Sequence, residues 1–261
     1  MSLSEKYLPW IMHARGRVLY EFYFTVANRP GELRRVLEVF SRYSVNLLSL
    51  SAYAFPEEER APVFAFADLT GLDIDVEKIK RDLEFVTGEE VYFKASPAKG
   101  FMMEEFGFPL YTFPGVRSMI LLESDFKEML RGLYEKFSDA AGVYLYYMAF
   151  SGGKYIAKYM SEKLGLRGWD LLVEVLKYYQ ASGWARVELV ECNPEAFRVV
   201  LRMYDSVECS TFRGAYKPMS HFIRGHLSGL LSGLLGTDVR FIETKCVAAG
   251  DPYCEFFMEK L

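Results

Sequence analysis

Several things are scarce in this chain, and each scarcity excludes a class of function. Of its 261 residues only 3 are His and 4 are Cys, too few for a disulfide scaffold or for several metal centres. Lys and Arg number 31 against 35 Asp and Glu, for a net charge of −4. Nucleic-acid binding rests on clustered cations facing phosphate, and this balance gives it no support. There is no apolar run long enough for a membrane span and no clean leader, since residues 1–17 mix charges with Trp10 and His13. The chain is therefore expected in the cytoplasm, where thiols stay reduced and free to hold metal. Dinucleotide, P-loop, nucleophile-elbow and zinc-protease motifs are all missing. Ser151-Gly152-Gly153-Lys154 lacks P-loop spacing and reads as a helix start instead. Paired acids such as Glu104-Glu105 look solvated, so no general acid and base are gathered in one place. The chain is not expected to be an enzyme.

What is present is aromatic and apolar. Hydrophobic residues make up 51% and aromatics 16%, enough for two domain cores or an aromatic-lined pocket. From Arg17 the pattern reads strand, helix, strand, strand, helix, strand: 18–26, a helix opened by Pro30-Gly31-Glu32-Leu33, 46–55, 61–69, 75–85 and 90–95. That order predicts a ferredoxin-like βαββαβ layer, giving an α+β protein. Pro30 is expected at the first helical position, and Leu33, Leu37 and Phe40 on the face toward the sheet. Residues 97–107 read as a linker. Beyond it come a strand-like stretch at 110–121, helices at 126–137, 154–163 and 170–179, and strands at 185–190 and 197–204.

The last helix carries two unlike faces. Gly225, Ser228, Gly229, Ser232, Gly233 and Gly236 share one, and Leu227, Leu230, Leu231 and Leu234 the other. With no charged face, such a helix is expected to be buried on both sides, its Gly/Ser side admitting another backbone, a subunit or a ligand. His221 and His226 lie about 140° apart round it and cannot easily share a metal.

The most informative stretch is Glu243-Thr244-Lys245-Cys246-Val247-Ala248-Ala249-Gly250-Asp251-Pro252-Tyr253-Cys254. A Gly-Asp-Pro turn folds the chain back and brings Cys246 and Cys254 together with Glu243 just upstream. Thiolates and carboxylates are zinc ligands. The fourth ligand is Cys209, His221 or a water. Free buried thiols and a hairpin disulfide are the other readings of the pair.

Pro218-Met219-Ser220-His221-Phe222-Ile223-Arg224-Gly225-His226-Leu227-Ser228-Gly229, followed by Glu243-x-x-Cys246-x7-Cys254-x-Phe256, resembles the C-terminal signature of the 4-vinyl reductase domain. That family includes ligand-sensing modules of phenol-responsive activators and shares its fold with vesicle-tethering subunits. The resemblance implies an α/β domain that holds a small apolar or aromatic molecule beside a structural zinc. It points to His221, Phe222, His226, Tyr204 and Phe212 as ligand-binding residues. The family commonly has a third cysteine where this chain has Ser220. Asn28-Arg29-Pro30-Gly31-Glu32-Leu33, with Leu37, Phe40 and Val45-Asn46-Leu47-Leu48, is similar to the opening of ACT domains. That resemblance implies an effector site at Asn28, Arg29, Pro30, Gly31 and Asn46, and pairing into a homodimer.

Together these readings predict an ACT-like regulatory domain at 1–96 (core 17–96), a linker at 97–107 and a 4-vinyl-reductase-like ligand-binding domain at 108–261. The expected function is small-molecule sensing passed to a downstream protein. The alternatives are an enzyme or accessory factor for a tetrapyrrole or hydrocarbon, and an oligomeric assembly protein.

Overall fold

The computed structural model describes residues 4–113, 115–165 and 168–261 and divides into two compact units, Met1–Met119 and Ile120–Leu261. Pro114, inside the stretch expected as a strand, lies outside the described residues.

In the first unit the elements are β1 (Ile11–His13), β2 (Leu19–Ala27), α1 (Glu32–Arg42), β3 (Asn46–Ala52), β4 (Arg60–Asp68), α2 (Val76–Thr87), β5 (Tyr92–Ala95), β6 (Phe101–Met103), β7 (Tyr111–Phe113) and β8 (Val116–Arg117). The expected βαββαβ order is present, as an antiparallel sheet ordered β3-β4-β2-β5. Phe22, Phe24 and Val26 of β2 are buried beneath Val36, Val39 and Phe40 of α1 and Ile79 and Leu83 of α2. The helix face expected from Leu33 and Leu37 is thus corrected, since both are exposed and only Phe40 of that trio is buried. Two apolar sets interleave along α1, and the rotation of its first turn selects the β-branched one. Gly31 sets that turn: its φ of +94° is a left-handed conformation open to glycine, so the helix begins at Glu32 and Pro30 precedes it.

Residues 97–107 do not form a bare linker. β6 pairs with β1, and Met102 packs on Leu19 and Phe66 across the sheet face opposite the helices. Phe106 stacks on Tyr23. Beneath this strap lies Glu21, fully buried, whose Oε2 accepts the Glu105 N–H at 3.1 Å. Burial, reinforced by the Glu104 charge, pushes its carboxyl up to about 7. The folded carboxyl holds its proton up to about pH 7, whereas the unfolded one releases it near 4.5. Stability therefore falls as pH rises through that window. Glu21→Gln is expected to flatten the fall between pH 5 and 7.5, read as melting temperature against pH; an unchanged slope rejects the assignment.

The second unit comprises α3 (Glu123–Phe137), α4 (Ala140–Leu164), a 3₁₀ turn at Gly168–Leu171, α5 (Leu172–Ala181), β9 (Arg186–Asn193), β10 (Arg198–Tyr204), α6 (Val207–Thr211), α7 (His221–Leu235), β11 (Val239–Lys245) and β12 (Cys254–Lys260). Its antiparallel sheet is ordered β11-β12-β10-β9. Val199, Leu201, Met203, Phe241, Phe256 and Met258 form one core with Leu227, Leu230, Leu231 and Leu234 of α7.

The two-faced helix is buried as expected, and the backbone that approaches its glycines belongs to α4. A methyl group added at Gly225 or Gly229 would overlap the carbonyl oxygen of Tyr146 or Phe150, and one at Gly233 would lie 2.7 Å from the Ala157 Cβ. Gly153 of α4 replies by fitting against the His226 carbonyl. Residues 151–154 therefore sit inside one continuous helix and do not start one: the glycines that look like a break permit the close crossing. Ser228 and Ser232 serve β11, accepting hydrogen bonds from the Phe241 and Val239 N–H groups at 2.9 and 3.0 Å.

Candidate metal centre

The tail hairpin folds as its composition dictates. After β11 the chain makes a short 3₁₀ turn at Val247–Ala249, and Gly250 turns it at a φ of +110°. Asp251 Oδ2 accepts the Cys246 N–H at 2.8 Å, closing the loop. Cys246 and Cys254 then face the same fully buried space. The short helix α6 delivers Cys209, whose Sγ lies 3.6 Å from that of Cys246. One ligand atom from each of Cys209, Glu243, Cys246 and Cys254 lies within 4.8 Å of the others. Two sulfurs on one tetrahedral zinc at about 2.3 Å would be roughly 3.8 Å apart, so the spacing fits a metal. All four residues expected as ligands are brought together, and the fourth is Cys209.

Ser220 explains how the site manages without a family-type cysteine there. It stands at the start of α7 but its hydroxyl makes no cap. Instead Oγ donates to Glu243 Oε1 at 2.6 Å and contacts Cys209 Sγ at 2.6 Å, and the Ser220 N–H bonds Glu243 Oε2 at 3.2 Å. Cys209 thus comes from a different element to the place beside Ser220. The electrostatics suit a cation. Hydrogen bonds from the Cys209 and Cys254 thiols hold Cys246 well below the ordinary thiol range, while Cys209, donating to it, is held far above. Burial and the Cys246 charge push Glu243 up to about 8. Four acidic donors so placed ionise together only if a cation neutralises them.

Glu208 was not legible in the sequence. It is fully buried and takes over the missing cap, its two oxygens accepting the Phe222 and Ile223 N–H groups at 2.8 and 2.9 Å. This fixes the start of α7, and with it Ser220, against the cluster.

The residues expected to bind a ligand are only partly gathered. His226 is buried, its Nδ1 2.8 Å from the Tyr179 hydroxyl, with its ring stacked on Tyr178 and 5.0 Å from Trp184. Burial lowers its pKa to about 4, so the imidazole is neutral. Phe222 joins this group through Trp184 at 5.2 Å. His221 and Phe212 lie to one side, both against Tyr134. Tyr204 is a correction: it faces the opposite side of the sheet from Met203, against Tyr253 and Arg186, with its hydroxyl on Glu188. Strand alternation puts it there. Tyr178, Tyr179 and Trp184 were missed because nothing local ties them to His226. Two open hollows, of about 450 and 420 Å³, lie where Gly233 and Gly236 meet α4, and none of the five expected ligand residues lines them.

The expected effector residues in the first unit also separate. Asn28 Nδ2 is spent on the Phe55 and Glu58 carbonyls, and Arg29 on Glu32. Asn46 lies at the far end of the sheet: it pairs with Asp68, which pairs with Leu19, whereas Asn28 follows Ala27 at the other end of β2. Eight strand residues, about 27 Å, separate the two ends.

With this geometry in hand, the family model of the vinyl-4-reductase domain matches residues 199–260, the segment that supplies Cys209, Glu243, Cys246 and Cys254. An uncharacterised protein of Methanocaldococcus jannaschii is 29% identical over 102 residues, 39% of this chain and 59% of that protein. The chain spans roughly half the length of the curated relatives it matches. Among solved structures, the phenol-responsive sensory domain of the transcription activator PoxR, with phenol, is similar at a TM-score of 0.48 and 19% identity, over 55% of this chain and 77% of that one. A vinyl-4-reductase family protein from Methanocaldococcus jannaschii is similar at a TM-score of 0.40 and 17% identity, over 55% and 84%. No described helix is long and apolar enough to cross a membrane. The C-terminal segment of this mixed α/β chain is thus of the vinyl-4-reductase type.

Proposed function

We propose that this chain is a non-enzymatic, cytoplasmic small-molecule sensor whose C-terminal domain binds a small apolar or aromatic molecule beside a structural zinc. The observation that carries the reading is the convergence of Cys209, Glu243, Cys246 and Cys254 within 4.8 Å inside the segment matched by the vinyl-4-reductase model. Zinc there has no open coordination position, so its contribution is to hold the hairpin, α6 and the start of α7 in register. The neutral His226–Tyr179 pair, ringed by Tyr178, Trp184 and Phe222, offers a polar handle in apolar surroundings, as recognition of a phenol-like ligand requires. The βαββαβ unit would be an ACT-like regulatory domain at 1–96. Its helix start already holds the Glu32 carboxylate, bound by Arg29 and Arg35, so an anionic effector would have to displace that group.

The test is thermal shift of metal-replete protein against phenols, fatty acids and amino acids. A ligand at a hundred times its Kd stabilises by about 2.7 kcal/mol, on the order of 8 °C for the C-terminal unit. His226→Phe is expected to abolish the response to phenols while leaving the fold intact. No shift from any compound, with no carried-over ligand in native mass spectrometry, refutes the sensor reading.

A further inference from the structure

α4 turns one side to α7 and leaves the other bare. Val143, Tyr144, Tyr147, Met148 and Tyr155 are 58–66% exposed, and Phe137 at the end of α3, 47% exposed, touches Tyr144 at 5.8 Å between ring centroids. Residues 140–153 carry no charge at all. A solvated helix face is normally charged. Four rings of roughly 200 Å² each, about 60% exposed, amount with Met148 and Val143 to on the order of 650 Å². The largest apolar patch on a typical monomer is about 300–600 Å², while one side of a stable interface is about 800 Å².

We propose that this face is a self-association surface, on which a second copy of the chain lays its own α4 antiparallel. Three features single out a second copy as the occupant. Tyr144, Met148, Ser151 and Tyr155 recur at steps of four, three and four, the spacing of a two-helix seam. The seam is self-complementary. In an antiparallel crossing Tyr144 meets the partner's Tyr155, and Met148 meets the partner's Ser151. Room for Met148 exists because Ser151 is small, turns its hydroxyl back to the Tyr147 carbonyl at 3.1 Å, and is followed by exposed Gly152. A Cβ built on Gly152 finds nothing within 4 Å, so this glycine, unlike Gly153, has no partner inside the chain that requires it. Finally, an uncharged face meets its own copy without like-charge repulsion, and the antiparallel arrangement sets the helix dipoles in opposition.

Light scattering on the full chain is expected to give twice its 30.1 kDa mass. Tyr144→Glu with Tyr155→Glu is expected to raise the dimer dissociation constant by at least about tenfold with an unchanged circular dichroism spectrum. Leu50→Glu on β3, which would disturb ACT-type sheet pairing, leaves the dimer intact. A second measurement does not depend on how well the glutamate variant folds. In a Cys192→Ser background, Ser151→Cys is linked into a covalent dimer by a short bismaleimide, and Lys177→Cys on α5 is not. A monomer at about 100 μM, a dimer indifferent to the Tyr144 and Tyr155 charges, or monomeric binding to anionic vesicles through this face would overturn the proposal.

Discussion

Cys246→Ser is expected to strip the protein of zinc and to lower the melting transition of the C-terminal unit by on the order of 15 °C. The magnitude separates two accounts of the same side chain. If the four residues merely pack, serine is close in shape and can still accept the Met219 N–H that now reaches Cys246 Sγ at 3.5 Å. That exchange would cost about 1–2 kcal/mol, a few degrees. If they hold zinc, the metal contributes roughly 10 kcal/mol of folding free energy at neutral pH. Even a third of that lost is about 3–4 kcal/mol, a large part of a domain's entire stability. Chelator treatment of the unmodified chain should reproduce the variant's melting curve. Plasma mass spectrometry supplies the independent reading, and less than about a tenth of an equivalent of zinc in untagged protein excludes the metal.

The second large effect is expected at the crossing of α4 and α7. Gly229→Ala should destabilise by about 3 kcal/mol, read as a lower denaturant midpoint at unchanged slope. Two terms oppose each other there. Removing a helical glycine gains about 1 kcal/mol in helix propensity. The added methyl overlaps the Phe150 carbonyl, and backbone cannot rotate away as a side chain can. Overpacking of this kind costs about 1–3 kcal/mol and more when main chain must move, so the steric term wins. Gly132→Ala on α3 provides the control. Its new methyl meets nothing within 4 Å, so only the propensity term remains and the variant should be stabilised by up to about 1 kcal/mol. Equal effects at the two positions would refute a close backbone contact at Gly229.

What the sequence disclosed, and what it withheld, follows from how locally each feature is encoded. Three metal-site residues lie in one hairpin whose turn chemistry brings them together, so the centre was legible. Cys209 was identifiable as the fourth because cysteines are few, although its approach depends on α6, which no periodicity announced. Glu208 was invisible for the opposite reason: a carboxylate in a five-residue helix looks like surface until α7 is placed over it. The glycines of α7 spoke clearly of close approach, while Gly152-Gly153 reads as a boundary that the fold does not make. Helix propensity is overridden there by packing against α7, and a lone sequence does not display that partner. In the first unit the element order was plain, but α1 carries two plausible apolar stripes and only the conformation of Gly31 selects between them. The proposed effector residues are grouped by analogy along the chain, and strand register sends Asn46 to the other end of the sheet from Asn28.

The serines of α7 have a further consequence for how the C-terminal sheet meets its surroundings. By taking up the outward N–H groups of β11, they seal that margin against strand addition and leave β9 as the open one. A sheet with a single free border can join another border to border once and then stops, because the joined pair offers no further edge. Concentrated or partly unfolded preparations should therefore halt at discrete pairs through β9, where filament growth would require the helix to let go of the strand it guards.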